Sequence, residues 1–258
     1  TRFNPADANG WENRGTGIRE IAFSYFDLGR IAEGLKSLEE GAGLVRDPRN
    51  KTGMSFFAYQ ATMLTAGWNA QMGNLGSARS ALAQAHRAQK EFVKDRSIDP
   101  ELEEIGTLGL NLLECTIDQA EGNYAKVHAR AVETADKLAR MKVQAEGNIE
   151  TRNNVLRQSR TLQVESALRL GNYEEAVEVS RDQVTNPRFS RRMDALDLAT
   201  AAARNKLRYG QALLGAGKRA DALVALRDAE DFYREQQAKG AADTGFRLDF
   251  ARTLYHLA

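Results

Sequence analysis

The sequence predicts an all-α fold of about five antiparallel helical hairpins followed by a C-terminal capping helix. Three observations carry this. The chain of 258 residues holds only four prolines, and its long stretches are rich in Ala, Leu, Arg, Glu and Gln, which favour helix. Alternating runs of Val, Ile, Thr and aromatic residues, the mark of strands, are missing. Five short segments, each centred on a glycine, recur at long and nearly regular intervals.

The segments are Asp27-Leu-Gly-Arg-Ile-Ala-Glu-Gly, Gln71-Met-Gly-Asn-Leu-Gly-Ser-Ala, Ala120-Glu-Gly-Asn-Tyr-Ala-Lys-Val, Arg169-Leu-Gly-Asn-Tyr-Glu-Glu-Ala and Gly215-Ala-Gly-Lys-Arg-Ala-Asp-Ala. Their glycines, Gly29, Gly73, Gly122, Gly171 and Gly217, stand 44, 49, 49 and 46 residues apart. A helix commonly ends on a residue in the left-handed conformation, which glycine adopts without a Cβ penalty. The chain then turns, and the next helix packs back. Fixed offsets from each glycine predict the seam between the two helices. Gly34, Ala78, Val127, Ala176 and Ala222 follow by five residues, and Leu38, Leu82, Ala131, Ser180 and Leu226 by nine. Ala22, Ala66, Cys115, Val164 and Gly210 precede by seven. Small residues there let the helices approach closely.

Taken in order, the pattern predicts helices over 17–28, 31–46, 52–72, 76–95, 100–121, 124–145, 149–170, 173–185, 190–215, 219–239 and 244–258. These group into repeats over 11–47, 51–96, 100–146, 148–187 and 190–240 and a cap over 243–258, in one domain spanning 1–258. Pro48, Pro100 and Pro187 fall between hairpins, where a helix must stop. Asp99-Pro100-Glu101 reads as a helix start, with a capping Asp, a proline, and acids at the positive end of the dipole. Gly147 and Gly240 mark the other junctions.

In this register the hairpins resemble tetratricopeptide repeats. The resemblance is strongest in Leu170-Gly-Asn-Tyr-Glu-Glu-Ala-Val and Leu213-Leu-Gly-Ala-Gly-Lys-Arg-Ala-Asp-Ala-Leu, and good in the first repeat through Ile21, Ala22, Tyr25, Gly29, Gly34 and Leu38. Glu114 and Gln163 depart from it, standing where the family has a large apolar residue. Asn4-Pro5-Ala6-Asp7 resembles the end of a further repeat, and the helix ending at Ala258 the first half of a sixth hairpin or a cap. The period exceeds the family's usual one. Such long-helix versions are similar to the repeat regions of bacterial signalling kinases, cyclases, proteases and transcription regulators.

The resemblance implies a right-handed solenoid, the tetratricopeptide superhelix, whose inner helices line a concave surface for a peptide or partner protein. It implies a non-catalytic protein–protein interaction scaffold, and no enzyme. Carried onto this chain, the groove-facing offsets select Arg19, Phe23, Gln60, Met63, Gln119, Gln158, Glu165, Arg169, Arg204, Arg208 and Gln211. Repeats that hold acidic chaperone tails use basic and Asn residues. Here Arg19 matches, but Phe23 and Leu64 take the Asn positions, so that ligand is not expected. The alternative is a regulatory or sensor domain of a larger bacterial signalling enzyme, working by intramolecular contact or self-association. Its motive is a start at Thr1 and a severed repeat, which suggest an excised piece.

Other chemistry is weakly supplied. Lys and Arg number 36 against 35 acids, a balance that argues against a nucleic-acid binder. No apolar run approaches the ~20 residues needed to span a bilayer. A soluble chain is expected, with the cytoplasm favoured and a homo-oligomer open. The lone Cys115 excludes an intramolecular disulfide or a cysteine zinc site and falls in a seam position. His86, His128 and His256 are scattered and lack metal-ligand spacing, so neither metal nor cofactor is expected. Glu39-Glu40, Glu101-Leu-Glu103-Glu104 and Glu174-Glu175 read as helix-end or surface acids, and Gly15-Thr-Gly17 and Gly215-Ala-Gly217 are not phosphate loops. Arg181, Arg188, Arg191 and Arg192 form the densest basic patch, with Asp182 and Asp194 close enough to neutralise it.

Overall fold

A computed structural model describes residues 8–47, 49–50, 54–96, 98–187, 195–239 and 244–258. Among them the fold is all-α, with eleven helices and no strand. The chain divides into two compact units, Thr1–Glu121 and Gly122–Ala258.

The first unit holds α1 (Ala8–Asp27), α2 (Ile31–Val45), α3 (Ser55–Gln71), α4 (Leu75–Arg96) and α5 (Pro100–Ala120). The second holds α6 (Tyr124–Arg140), α7 (Glu146–Leu170), α8 (Tyr173–Thr185), α9 (Ala195–Gly215), α10 (Arg219–Ala238) and α11 (Thr244–Leu257). Within each unit every helix packs on its chain neighbours. The odd-numbered helices also touch the next odd one: α1 on α3 and α3 on α5 in the first unit, α7 on α9 and α9 on α11 in the second.

The glycine register is the organising feature. Gly29, Gly73, Gly122, Gly171 and Gly217 all adopt positive φ, between 73° and 82°. At Gly29 the glycine N–H donates to the Phe26 carbonyl and the Arg30 N–H to Tyr25, each at 2.8 Å. The same nested pair closes the turns at Gly73, Gly171 and Gly217, satisfying carbonyls that the helix end leaves open.

The predicted seam residues are buried throughout. Ala22, Ala66, Ala78, Cys115, Val127, Ala131, Val164, Ala176, Ala222 and Leu226 have no exposed surface. Gly34 lies so close to its neighbours that a Cβ would meet the Ala22 carbonyl oxygen at 3.0 Å. A Cβ on Gly210 would meet Leu226 at 2.6 Å. In the first unit Ala22, Leu38, Phe57 and Trp68 form one core cluster, and Ala66, Ala78, Leu82, Leu110 and Ile117 the next. In the second, Val164, Ala176, Val177 and Leu213 form one, and Leu207, Leu226, Tyr233 and Phe246 the other.

Several boundaries differ from the sequence expectation. α1 starts at Ala8 instead of 17, running through Gly15 and Gly17. Gly15 serves close packing there, since a Cβ would meet Phe57 at 2.8 Å. This draws Trp11 into the core with no exposure. α6 stops at Arg140 instead of 145, because Met141 is extended (φ −65°, ψ 122°). The Asp99 cap forms as expected, its carboxylate accepting from the Glu101 N–H at 2.8 Å ahead of Pro100. Asn4 to Asp7, Pro48, Arg188, Arg191, Arg192, Asp194 and Gly240 lie outside the described residues.

Candidate functional site

The residues selected by the groove-facing offsets lie on odd-numbered helices. In the first unit Arg19 on α1 donates from Nη1 to Gln60 Oε1 on α3 at 2.5 Å. Its other edge reaches Glu20 at 2.7 Å. Phe23, one turn on, meets Trp68 edge-on at 5.8 Å and keeps about a third of its surface exposed. Met63 is partly buried against the α3–α4–α5 core, and Gln119 on α5 is half-buried. Arg19 and Gln60 thus meet, Phe23 rests on Trp68, and Met63 serves packing.

In the second unit the pairing is more extensive. Arg208 on α9 meets Glu165 on α7 at 2.9 Å. Arg204 on α9 meets Asp249 on α11 at 2.6 Å. One turn beyond Arg208, Gln211 lies 2.9 Å from His256 Nε2. These pairs are separated by 43, 45 and 45 residues, and Arg19–Gln60 by 41, which is about one repeat. The adjacent odd helices α1–α3, α7–α9 and α9–α11 are therefore laced by polar pairs at the repeat spacing. Burial holds His256 below the ordinary histidine range, so the ring is neutral near pH 7. Arg169 is exposed and lies 5.9 Å over the Tyr124 ring, and Gln158 is exposed on α7.

Beside these stands Arg157, which the offsets did not select. Burial first, and the Arg208 charge second, hold it below the ordinary arginine range. Its Nη2 donates to Asn154 Oδ1 at 2.7 Å, and no carboxylate pairs with it among the described residues. A half-buried guanidinium beside a like charge is an attractive position for an anionic group. The offsets missed it because they give positions on a helix and not the partners that meet there. The same holds for Asp249 and His256, supplied by the predicted cap.

The two departures from the repeat pattern have partners of their own. Glu114 joins Asp118 and Glu121 around Arg79 of α4, at 3.7, 2.5 and 2.8 Å. Hydrogen bonds that Arg79 donates to Glu121, and then to Asp118, raise its pKa further. Gln163 donates to Glu175 Oε1 at 2.8 Å, and His128 Nε2 lies 3.2 Å from the other oxygen of that carboxylate. Polar ties thus replace apolar contact at both positions.

Cys115 is fully buried. Among the described residues no group of His, Cys, Asp or Glu has the arrangement of a metal site. No described helix is long and apolar enough to cross a membrane. Glu39, Glu40, Glu103 and Glu104 are exposed, with Glu101 and Glu103 in the first turn of α5. Arg181 is likewise exposed, while Asp182 pairs with Arg160. Comparison with protein-family models and with curated proteins finds no match for this chain.

Proposed function

We propose that the chain is a non-catalytic interaction scaffold of the tetratricopeptide type, its hairpins wound into a right-handed superhelix. The α7–α9–α11 face of the second unit is the docking surface for a peptide or partner protein. The observation that carries this reading is Arg157, half-buried beside Arg208 and without a carboxylate of its own among the described residues. Glu165 and Asp249 fix the neighbouring guanidinium groups of Arg208 and Arg204. That ordering lowers the entropy cost of binding there. The face has donors in excess, so it suits a ligand rich in acceptors, carboxylates above all.

The test is an affinity pull-down from source lysate with mass-spectrometric readout. Wild type is compared with an Arg204→Ala, Arg208→Ala, Gln158→Ala variant and with Arg157→Ala alone. The proposal expects a partner retained by wild type and lost by both variants. Equal recovery by all three removes this face from consideration. Recovery of the bait alone favours a regulatory domain that contacts its own parent chain.

A further inference from the structure

The first unit has a groove on a different set of helices. It runs between α2 and α4 with α3 as its floor, and encloses about 810 Å³. That falls within the ~300–1,000 Å³ of sites that bury a drug-sized ligand. It exists because the residues facing it are short. α3 contributes Ala58, Ala61, Thr62 and Thr65, and α4 contributes Ser77, Ser80, Ala81 and Ala88. Leu35, Leu38 and Val45 of α2 give the opposite wall an apolar stripe.

The rim carries an excess of positive charge. Lys36 and Arg46 stand on the α2 side and Arg87 on the α4 side. Among the described lining residues the only acid is Glu39. All three cations are exposed, and none has an ion pair among the described residues. Asp47, next to Arg46 in the chain, is already tied to Arg49 at 2.6 Å. Ser77, Ser80 and Gln84 are exposed on the same wall as Arg87, with no hydrogen-bond partner among the described residues. Thr62 and Thr65 are different, since their hydroxyls donate to the carbonyls of their own helix.

We infer that this groove binds a short acidic peptide segment, with apolar side chains on the α2 stripe and carboxylates bridging Lys36 and Arg46 on one wall to Arg87 on the other. Cations on both rims over a floor of small side chains complement an elongated anionic chain better than a compact anion. The inference is independent of the docking face in the second unit, because it concerns other helices and other residues.

Fluorescence anisotropy on the full chain tests it. The probe is a labelled peptide alternating Glu with Leu, and the control is its Lys-for-Glu counterpart. The acidic peptide should bind and the basic one should not. Arg87→Glu and Lys36→Glu should each weaken binding roughly tenfold or more, as expected when a charge-assisted contact is reversed. Ser80→Trp fills the groove without changing its charge and should abolish binding while circular dichroism stays that of the wild type. If that variant fails to fold, the two charge reversals decide the matter. The same reversals are repeated in an Arg204→Ala, Arg208→Ala background, which takes the cations of the second unit's docking face out of the comparison. Absence of binding by the acidic peptide overturns the inference. So does binding that survives both charge reversals or a folded Ser80→Trp. Loss of binding in the Arg204, Arg208 variant moves the peptide to the second unit and also overturns it.

Discussion

Replacing Arg79 with alanine should be the most damaging single change at a polar position in the first unit. Arg79 bridges α4 to α5, with Nη2 at 2.5 Å from Asp118 and 2.8 Å from Glu121. The Asp118 side chain has no exposed surface, while that of Arg79 is 35% exposed. Removing one partner of a buried ion pair costs ~3–5 kcal/mol, because the other charge stays desolvated. Water can enter from the exposed side of Arg79, so about 3 kcal/mol, the lower end of that range, is expected. Asp118→Asn should cost about 1 kcal/mol, the scale of one hydrogen bond, since Arg79 keeps Glu121 and the new amide still offers an oxygen. The double variant leaves no buried charge and should lose only about 2 kcal/mol, which gives a coupling of about 2 kcal/mol. Urea denaturation of the four proteins, followed by circular dichroism, measures the cycle. A cost below about 1 kcal/mol for Arg79→Ala, or a coupling under about 0.5 kcal/mol, would refute the claim that this guanidinium holds a buried carboxylate.

Other expectations follow from the same packing. Ala222→Arg should lower stability by ~1–3 kcal/mol or more, because Ala222 is fully buried in the α9–α10 seam. Lys218→Ala, which loses only an exposed contact to Glu174, should stay within about 0.5 kcal/mol in the same denaturation assay. Gly210→Ala forces a Cβ against Leu226 and should lower the thermal midpoint, whereas an unchanged midpoint would show that the seam yields freely. His256 titrates below its ordinary value when folded, so its contribution to stability is present above about pH 6.5. That contribution is lost as pH falls through the folded value, and His256→Gln should flatten this acid limb in pH-dependent melts. Cys115 should react slowly with a thiol reagent in buffer and rapidly in urea, because opening of the core must precede attack.

The turns and seams were legible because each rests on a local rule. A left-handed glycine is needed wherever one helix must fold back, and the small residues at fixed distances from Gly29 or Gly171 follow from helical periodicity. What escaped depends on distant partners. Gly15 looks like a breaker until Phe57 is placed against it, and only then is α1 seen to begin at Ala8. Arg204 and Arg208 were legible as positions, yet Asp249 and Glu165 as their partners were not, since the charges lie on different helices. The groove over α3 was the least legible of all. Ala58, Thr62, Ser77 and Ser80 read as ordinary helix positions, and an empty space between helices has no periodic signature.

The lacing of neighbouring odd helices also bears on how the chain assembles. Its ties close loops of 41 to 45 residues in either unit. The entropy lost on closing a loop grows only with the logarithm of its length, so each such tie faces nearly the same barrier as the next. No step of this kind must wait for the far end of the chain to arrive. Folding can then begin within either unit and spread outward. Hydrogen exchange should report graded protection in each unit, with its outermost helices opening before those held on two sides.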